Sequence, residues 1–221
     1  MIKSQVVPHY LATIILFWFM GFTQTYAAEL PLFDAHVHYN KDIWQAIPAD
    51  DAIELLKKQG IYRAIVSSTP ANGAIELFNQ DPELVIPFLR PYRTPADRRD
   101  WYKNPEILKY VRAQLEGFDY RGLGEFHLFD LQVNTPVMQG LLALARKRNL
   151  ILLAHSDHET IDALLTAAPE LKVIWAHGGF DVDVNIVSNK LKQYENLYIE
   201  LSFREGMTAQ EELTPEWREL F

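Results

Sequence analysis

The sequence predicts an α/β protein, a (β/α) TIM-type barrel truncated after its seventh strand, and three observations carry that prediction. Short apolar runs rich in β-branched and aromatic residues alternate with longer stretches whose apolar positions fall at helical spacing, the pattern of βα units. The runs recur about every 28 residues from Leu32 onward, the repeat of a barrel of roughly 250 residues. Two of them, Leu153-Ala-His155-Ser156 and Ile174-Trp-Ala-His177-Gly178, close on the same Ala-His-small pattern, as successive strand ends do.

Strands are expected at 32–38, 62–68, 84–90, 122–128, 151–156, 173–177 and 198–203, and helices at 50–59, 73–79, 105–116, 135–148, 159–168 and 184–194. The uninterrupted apolar stretch Ile151-Leu-Leu-Ala154 fits a strand buried on both faces, as in parallel sheets. Asn104 before Pro105, and Asn134-Thr135 before Pro136, place a capping side chain ahead of a proline in the first turn, where its missing N–H is harmless. An eighth strand at the same spacing would begin at about residue 226, and the sequence given ends at Phe221. Residues 28–221 therefore read as a single incomplete barrel domain.

Residues 1–27 are of another kind. Lys3 precedes an uncharged run over residues 11–22, and the small pair Ala27-Ala28 follows. A basic start, a short apolar core and a small-residue exit are the parts of a cleaved secretory signal. A spanning helix needs about 20 apolar residues, so the expectation is a secreted or periplasmic protein with no stable membrane insertion after processing. The rest is ordinary globular composition, 48% hydrophobic and 23% charged. A net charge of −8, with no basic cluster interleaved with aromatics, argues against nucleic acid as a partner. The absence of cysteine excludes disulfides, thiolate-bound zinc and a thiol nucleophile. Any metal must be held by imidazole and carboxylate.

The candidate site residues follow from strand geometry. Side chains two apart on a strand share a face, so Asp34, His36 and His38 are expected to project together. In barrels the C-terminal strand ends build the site, which brings His155, His177 and the Glu125 of Gly122-Leu-Gly-Glu125 towards that pair. Each histidine alone also reads as a hydrogen-bonded core residue; the joint pattern is what points to a metal. Nitrogen and carboxylate donors with an open position suit Zn²⁺ first, then Mn²⁺, Fe²⁺, Co²⁺ or Ni²⁺. Asp34 is expected to orient a histidine through its outer nitrogen. His127 faces either side of its strand, and His158 is expected in solvent. Arg204, at the end of the seventh strand, is a candidate for gripping an anionic group on a small-molecule substrate, whereas Arg90 reads slightly better as a surface ion pair. Loops 39–48 and 92–103 carry Trp44 and Trp101, which could cover a substrate.

The arrangement resembles the amidohydrolase superfamily, particularly its second large family of metal-dependent hydrolases, lactonases and non-oxidative decarboxylases of aromatic acids. The similarity spans roughly residues 32–221. It implies that His36, His38 and His155 bind the metal, with His177 as a ligand or catalytic group, and that an aspartate after strand eight completes the shell. This sequence has no counterpart of that aspartate. Strand four holds no lysine, which argues against a pair of metals bridged by a carboxylated lysine, and Glu125 is then either a ligand or an acid standing behind the ligands. The implied function is hydrolysis of a small amide, ester or lactone by metal-activated water. Decarboxylation on the same metal site and an inactive truncated remnant are the alternatives.

Overall fold

The computed structural model describes residues 31–130, 132–210 and 212–221. The signal-peptide expectation for residues 1–27 lies outside them. Seven strands form one parallel sheet in sequence order: β1 (Leu32–His38), β2 (Ile61–Ser68), β3 (Val85–Leu89), β4 (Gly122–Leu128), β5 (Ile151–Ser156), β6 (Val173–Trp175) and β7 (Leu197–Ile199). The connecting helices are α1 (Ala49–Lys58), α2 (Asn72–Gln80), α3 (Glu106–Gly117), α4 (Pro136–Arg148), α5 (His158–Ala167) and α6 (Val184–Gln193). A short antiparallel pair, Thr208–Ala209 with Glu212–Leu213, and α7 (Pro215–Leu220) follow. Among the described residues, no helix is long and apolar enough to cross a membrane.

The sheet curls into a (β/α) barrel whose ring is open between β7 and β1. Among the described residues these two strands share no ladder hydrogen bonds, yet the side chains at their ends touch, with His36 Nδ1 lying 2.8 Å from a Glu200 carboxylate oxygen. The interior is a layer of apolar side chains: Ile65, Phe88, Leu153, Ile174 and Ala176, with Ala35, Ile86 and Ile151 against them. Phe88 fills so much of it that a Cβ on Gly122 would meet its ring at 2.3 Å, so β4 must begin with glycine. Outside the sheet the largest core packs β4 and β5 (Leu123, Phe126, Leu128, Leu152, Ala154) against Met138, Leu141 and Leu142 of α4 and Ile161, Leu164 and Leu165 of α5. A second core packs β1 and β2 against α1 and α2.

The capping reasoning holds. Thr135 accepts from the Met138 N–H with Pro136 in the first turn, and Asn104 Oδ1 accepts from the Glu106 N–H. Two strands end earlier than expected. β6 stops at Trp175, after which Ala176–Gly179 form a single turn, and β7 stops at Ile199. The physical reason is Glu200, whose carboxylate accepts from the main-chain N–H groups of both His177 and Ser202 and so draws the chain out of the ladder.

Candidate metal centre

Glu125 is the hub. It follows Gly124, whose φ of +131° and whose lack of a Cβ, which would sit 2.2 Å from the Leu153 carbonyl, let β4 carry a bulge against β5. The bulge aims the Glu125 carboxylate across the C-terminal end of the barrel. There Oε2 lies 3.0 Å from His38 Nε2 and 3.7 Å from His36 Nε2, and Oε1 lies 3.0 Å from His155 Nδ1 and 3.6 Å from His177 Nε2. His36, His38, His155, His177 and Glu125, from three strand ends and the turn after β6, are thus one cluster. His36 Nε2 and His38 Nε2 are only 3.1 Å apart. Two imidazole nitrogens at that distance repel when both carry protons and when both carry lone pairs, so the pair requires one shared proton or one shared cation.

The outer nitrogens are committed elsewhere. His36 Nδ1 donates to Glu200 at 2.8 Å, His38 Nδ1 pairs with the Ser67 hydroxyl at 2.8 Å, and His177 Nδ1 donates to the Ser202 carbonyl at 2.7 Å. In neutral rings this leaves the Nε2 lone pairs of His36 and His177 facing Glu125, as oriented ligands do. Arg90 closes the far side, with Nη2 donating to Glu125 Oε2 and Nε to the Glu125 carbonyl, both at 3.1 Å. Its guanidinium lies over the Tyr92 ring. His38 and His155 keep 29% and 25% side-chain exposure against 3% for His36, so the cluster opens towards solvent past those two.

The electrostatics follow from crowding. Burial alone would raise the Glu125 carboxyl, but the imidazoles of His155, His177, His36 and His38 around it overcome that and hold the group well below the usual carboxylate range. Burial works against a charged His36, and its interactions with the Glu125 and Glu200 carboxylates, which accept from it, outweigh that, raising the ring to about 9. His38 moves the other way, chiefly because it is buried and also because Arg90 and His36 stand beside it. Opposite directions in a touching pair are what a single shared proton gives.

Several expectations need correction. A bulge at residues 35–36 breaks the strict alternation of β1, so Ala35 packs in the interior layer and Asp34 is not in the cluster. Its carboxylate accepts from the main-chain N–H of His36, and Glu200 takes the orienting role expected of Asp34. Arg90 is no surface pair but buried against Glu125. Arg204 is not brought into the cluster: its guanidinium binds the carbonyls of Phe180 and Val182 and lies over Trp217. Trp101 is fully buried and donates to the His127 carbonyl, and Trp44 packs on Tyr39, so neither covers the opening. His127 does turn inward, with its ring stacked on His155 and Nδ1 at 3.1 Å from the Tyr92 hydroxyl. Burial lowers it to about 3. His158 is half-exposed beside Glu159.

Glu200, Ser67 and Ser202 were missed in the sequence. A signal for Glu200 existed: an acid inside the run Leu197-Tyr-Ile-Glu200-Leu201 is a charge where a half-buried strand should carry none unless it is paired.

Among the described residues, three donor groups could hold a cation: His36, His38 and Glu125; His36, His177 and Glu200; and Glu125, His127 and His155. Ligand atoms about 2.0–2.1 Å from one ion stand roughly 2.9–3.4 Å from each other. Two of the three separations in the first group, 3.1 and 3.0 Å, fall there directly, and the third, 3.7 Å, lies just above.

No family model matches the chain, and no curated protein matches it. Among solved structures, the chain is similar to a probable 2-pyrone-4,6-dicarboxylic acid hydrolase from Acinetobacter baumannii with citric acid bound. The two share 12% identity over 86% of this chain and 92% of that one, with a TM-score of 0.46.

Proposed function

We propose that this chain is a metal-dependent hydrolase of the amidohydrolase type that acts on a small carbonyl-containing substrate, an amide, ester or lactone. The observation that carries the reading is the orientation of His36, His38 and His177. Each has Nδ1 fixed by an oxygen partner and Nε2 turned towards one buried carboxylate. Core histidines satisfied for structural reasons have no cause to converge in this way.

Charge supports the same reading. With neutral imidazoles, Glu125 and Glu200 bring two negative charges to a buried site where Arg90 brings one positive charge. The remaining negative charge requires a cation. His36 meets that need with a proton, and a divalent ion would replace it. His36, His38 and Glu125 would hold the ion, with His155 and His177 alongside and Zn²⁺ as the first choice for such donors. Bound there, the ion supplies Lewis acidity towards a carbonyl and acidifies a water molecule. The chain's own groups do the rest. Glu200 and Ser67 hold the two β1 rings in register. Arg90 holds the Glu125 carboxylate in place from the far side. His177 Nε2, with Nδ1 tied to Ser202, can take up a proton on the inner side of the cluster.

The test is turnover of a panel of esters, lactones and amides by zinc-loaded protein, beside His177→Asn and aromatic carboxylic acids as decarboxylation substrates. The reading expects hydrolysis that falls by about 10² to 10⁴ in the variant. Carbon dioxide release without hydrolysis would replace it with the decarboxylase reading, and no turnover of any substrate would leave only a binding site.

A further inference from the structure

His127 lies near the end of β4, two residues beyond Glu125, and is held from three directions. Its main-chain carbonyl accepts from Trp101 Nε1 at 2.8 Å, its main-chain N–H donates to the Tyr92 hydroxyl at 2.7 Å, and its ring stacks on His155 with centroids 4.5 Å apart. Tyr92 and Trp101 belong to the segment after β3 and are both buried, so that packed segment sets the position of the ring.

The Tyr92 hydroxyl also decides where the ring carries its proton. It has two partners among the described residues, the His127 N–H and His127 Nδ1, the latter at 3.1 Å. An N–H can only donate, so it occupies a lone pair of the Tyr92 oxygen and leaves the hydroxyl proton to Nδ1. The opposite arrangement, with a protonated Nδ1 donating to the hydroxyl, would bring two donors to that oxygen and leave a buried O–H with no acceptor, at a cost in stability. Nδ1 is therefore the acceptor, and the neutral ring has its proton on Nε2. His36 and His177 are the reverse. Their Nδ1 atoms face a carboxylate oxygen and a carbonyl oxygen, which bring no proton, so in their neutral rings Nε2 carries the lone pair. The His127 Nε2–H makes no hydrogen bond among the described residues: Glu125 Oε1 stands 3.9 Å from it, beyond hydrogen-bond reach, and the side chain is 17% exposed. The cluster thus borders on a ring that presents a proton, beside two that present lone pairs.

We propose that His127 is a hydrogen-bond donor to the reacting carbonyl oxygen of the substrate and not a ligand of the metal, and that Tyr92 positions it by holding the Nε2–H tautomer. A fixed N–H aimed at a place where negative charge grows on oxygen stabilises that charge without reorganisation. Bound to a cation through Nε2, the ring would have to move its proton to Nδ1 and strand the Tyr92 O–H. Of the three donor groups, the one that contains His127 is therefore opposed by its own surroundings. The inference rests on the hydrolase reading for the substrate, and on Tyr92 and His127 alone for the tautomer.

The test combines proton–nitrogen correlation spectra of the histidine rings with calorimetric binding of methylphosphonate, a tetrahedral oxyanion, both on the full chain, chelator-treated and zinc-loaded. The variants are Tyr92→Phe, His127→Leu and His127→Gln, the last keeping an N–H near the position of Nε2. The His127 signals are expected to show a protonated Nε2 in the wild type with and without zinc, and a mixture of tautomers in Tyr92→Phe. Methylphosphonate affinity of the zinc-loaded chain is expected to fall about tenfold in His127→Leu, the loss of one charge-assisted hydrogen bond, and by less in His127→Gln, with zinc content unchanged in both. A proton on Nδ1 in the wild type, its loss from Nε2 on zinc loading, or a single unchanged tautomer in Tyr92→Phe would each overturn the proposal. So would zinc lost from folded His127→Leu, or methylphosphonate binding that is absent or indifferent to that substitution. His127-dependent binding of methylphosphonate by a chain that takes up no zinc, or that hydrolyses no ester, lactone or amide, would keep this donor and sink the hydrolase reading. Hydrolysis at the wild-type rate by His127→Leu would do the reverse.

Discussion

The two sides of the barrel hold their functional residues by different means. On the β4–β5 side, six registered pairs, His127↔His155 among them, and the largest apolar core fix the backbone before any site residue is considered. At the β7–β1 seam, among the described residues β7 pairs over only three positions and only with β6, while Leu32, Phe33 and Tyr198 stand about half exposed. There the site is held by side chains: Glu200 reaches across to His36 Nδ1, accepts from the His177 N–H and fixes Ser202. Where the ladder stops, polar contacts around the candidate metal centre join the two edges, so at the seam function and structure rest on the same atoms.

Breaking the hub should show the contrast most strongly. Glu125→Ala leaves Arg90 buried without its partner and is expected to destabilise the fold by about 3–5 kcal/mol, measured by urea unfolding, and to abolish metal uptake. Glu200→Ala acts at the seam. It should lower metal affinity by about 10- to 100-fold through the loss of His36 orientation, read by competition with a chelating dye, while destabilising the fold less than Glu125→Ala does. If the two variants lose equal stability, the seam is as firmly built as the closed side and the contrast fails.

Proton linkage sharpens the same comparison. His36 is raised in the folded metal-free chain, so its stabilising contribution is complete below its unfolded value of 6.5 and is lost as the pH rises through about 9. Glu125 and Glu200 are lowered, so their contribution is present above the unfolded carboxylate value and is lost in acid. The melting temperature of the metal-free protein should therefore fall between pH 6.5 and about 9, and zinc affinity should rise over the same window as the competing proton leaves. His36→Asn should flatten both curves. The smallest effect is expected at Arg204: Arg204→Gln removes its hold on the Phe180 and Val182 carbonyls and should cost about 1 kcal/mol, with zinc affinity unchanged.

The strand order, the helix caps and the convergence of His36, His38, Glu125, His155 and His177 were legible in the sequence, because each rests on periodicity or on strand ends sharing one face. Arg90, Arg204, Asp34 and Glu200 were not, because their roles depend on local departures from regularity. The bulge at residues 35–36 takes Asp34 out of the expected phase, and the bulge beside Gly124 turns Glu125 to meet Arg90. The early ends of β6 and β7 let Glu200, rather than Arg204, face the cluster. Both tryptophans were misplaced for a related reason: composition shows that a loop is aromatic but not on which side it packs.

The central claim is that His36 and His38 form one half of a metal site rather than a proton-sharing pair of structural histidines. Zinc content after reconstitution and gel filtration tests it most directly, for the wild type and for a His36→Ala/His38→Ala double variant whose fold is checked by circular dichroism. The account expects about one zinc per wild-type chain and essentially none in the folded double variant. Equal zinc in both, or none in either, would contradict it.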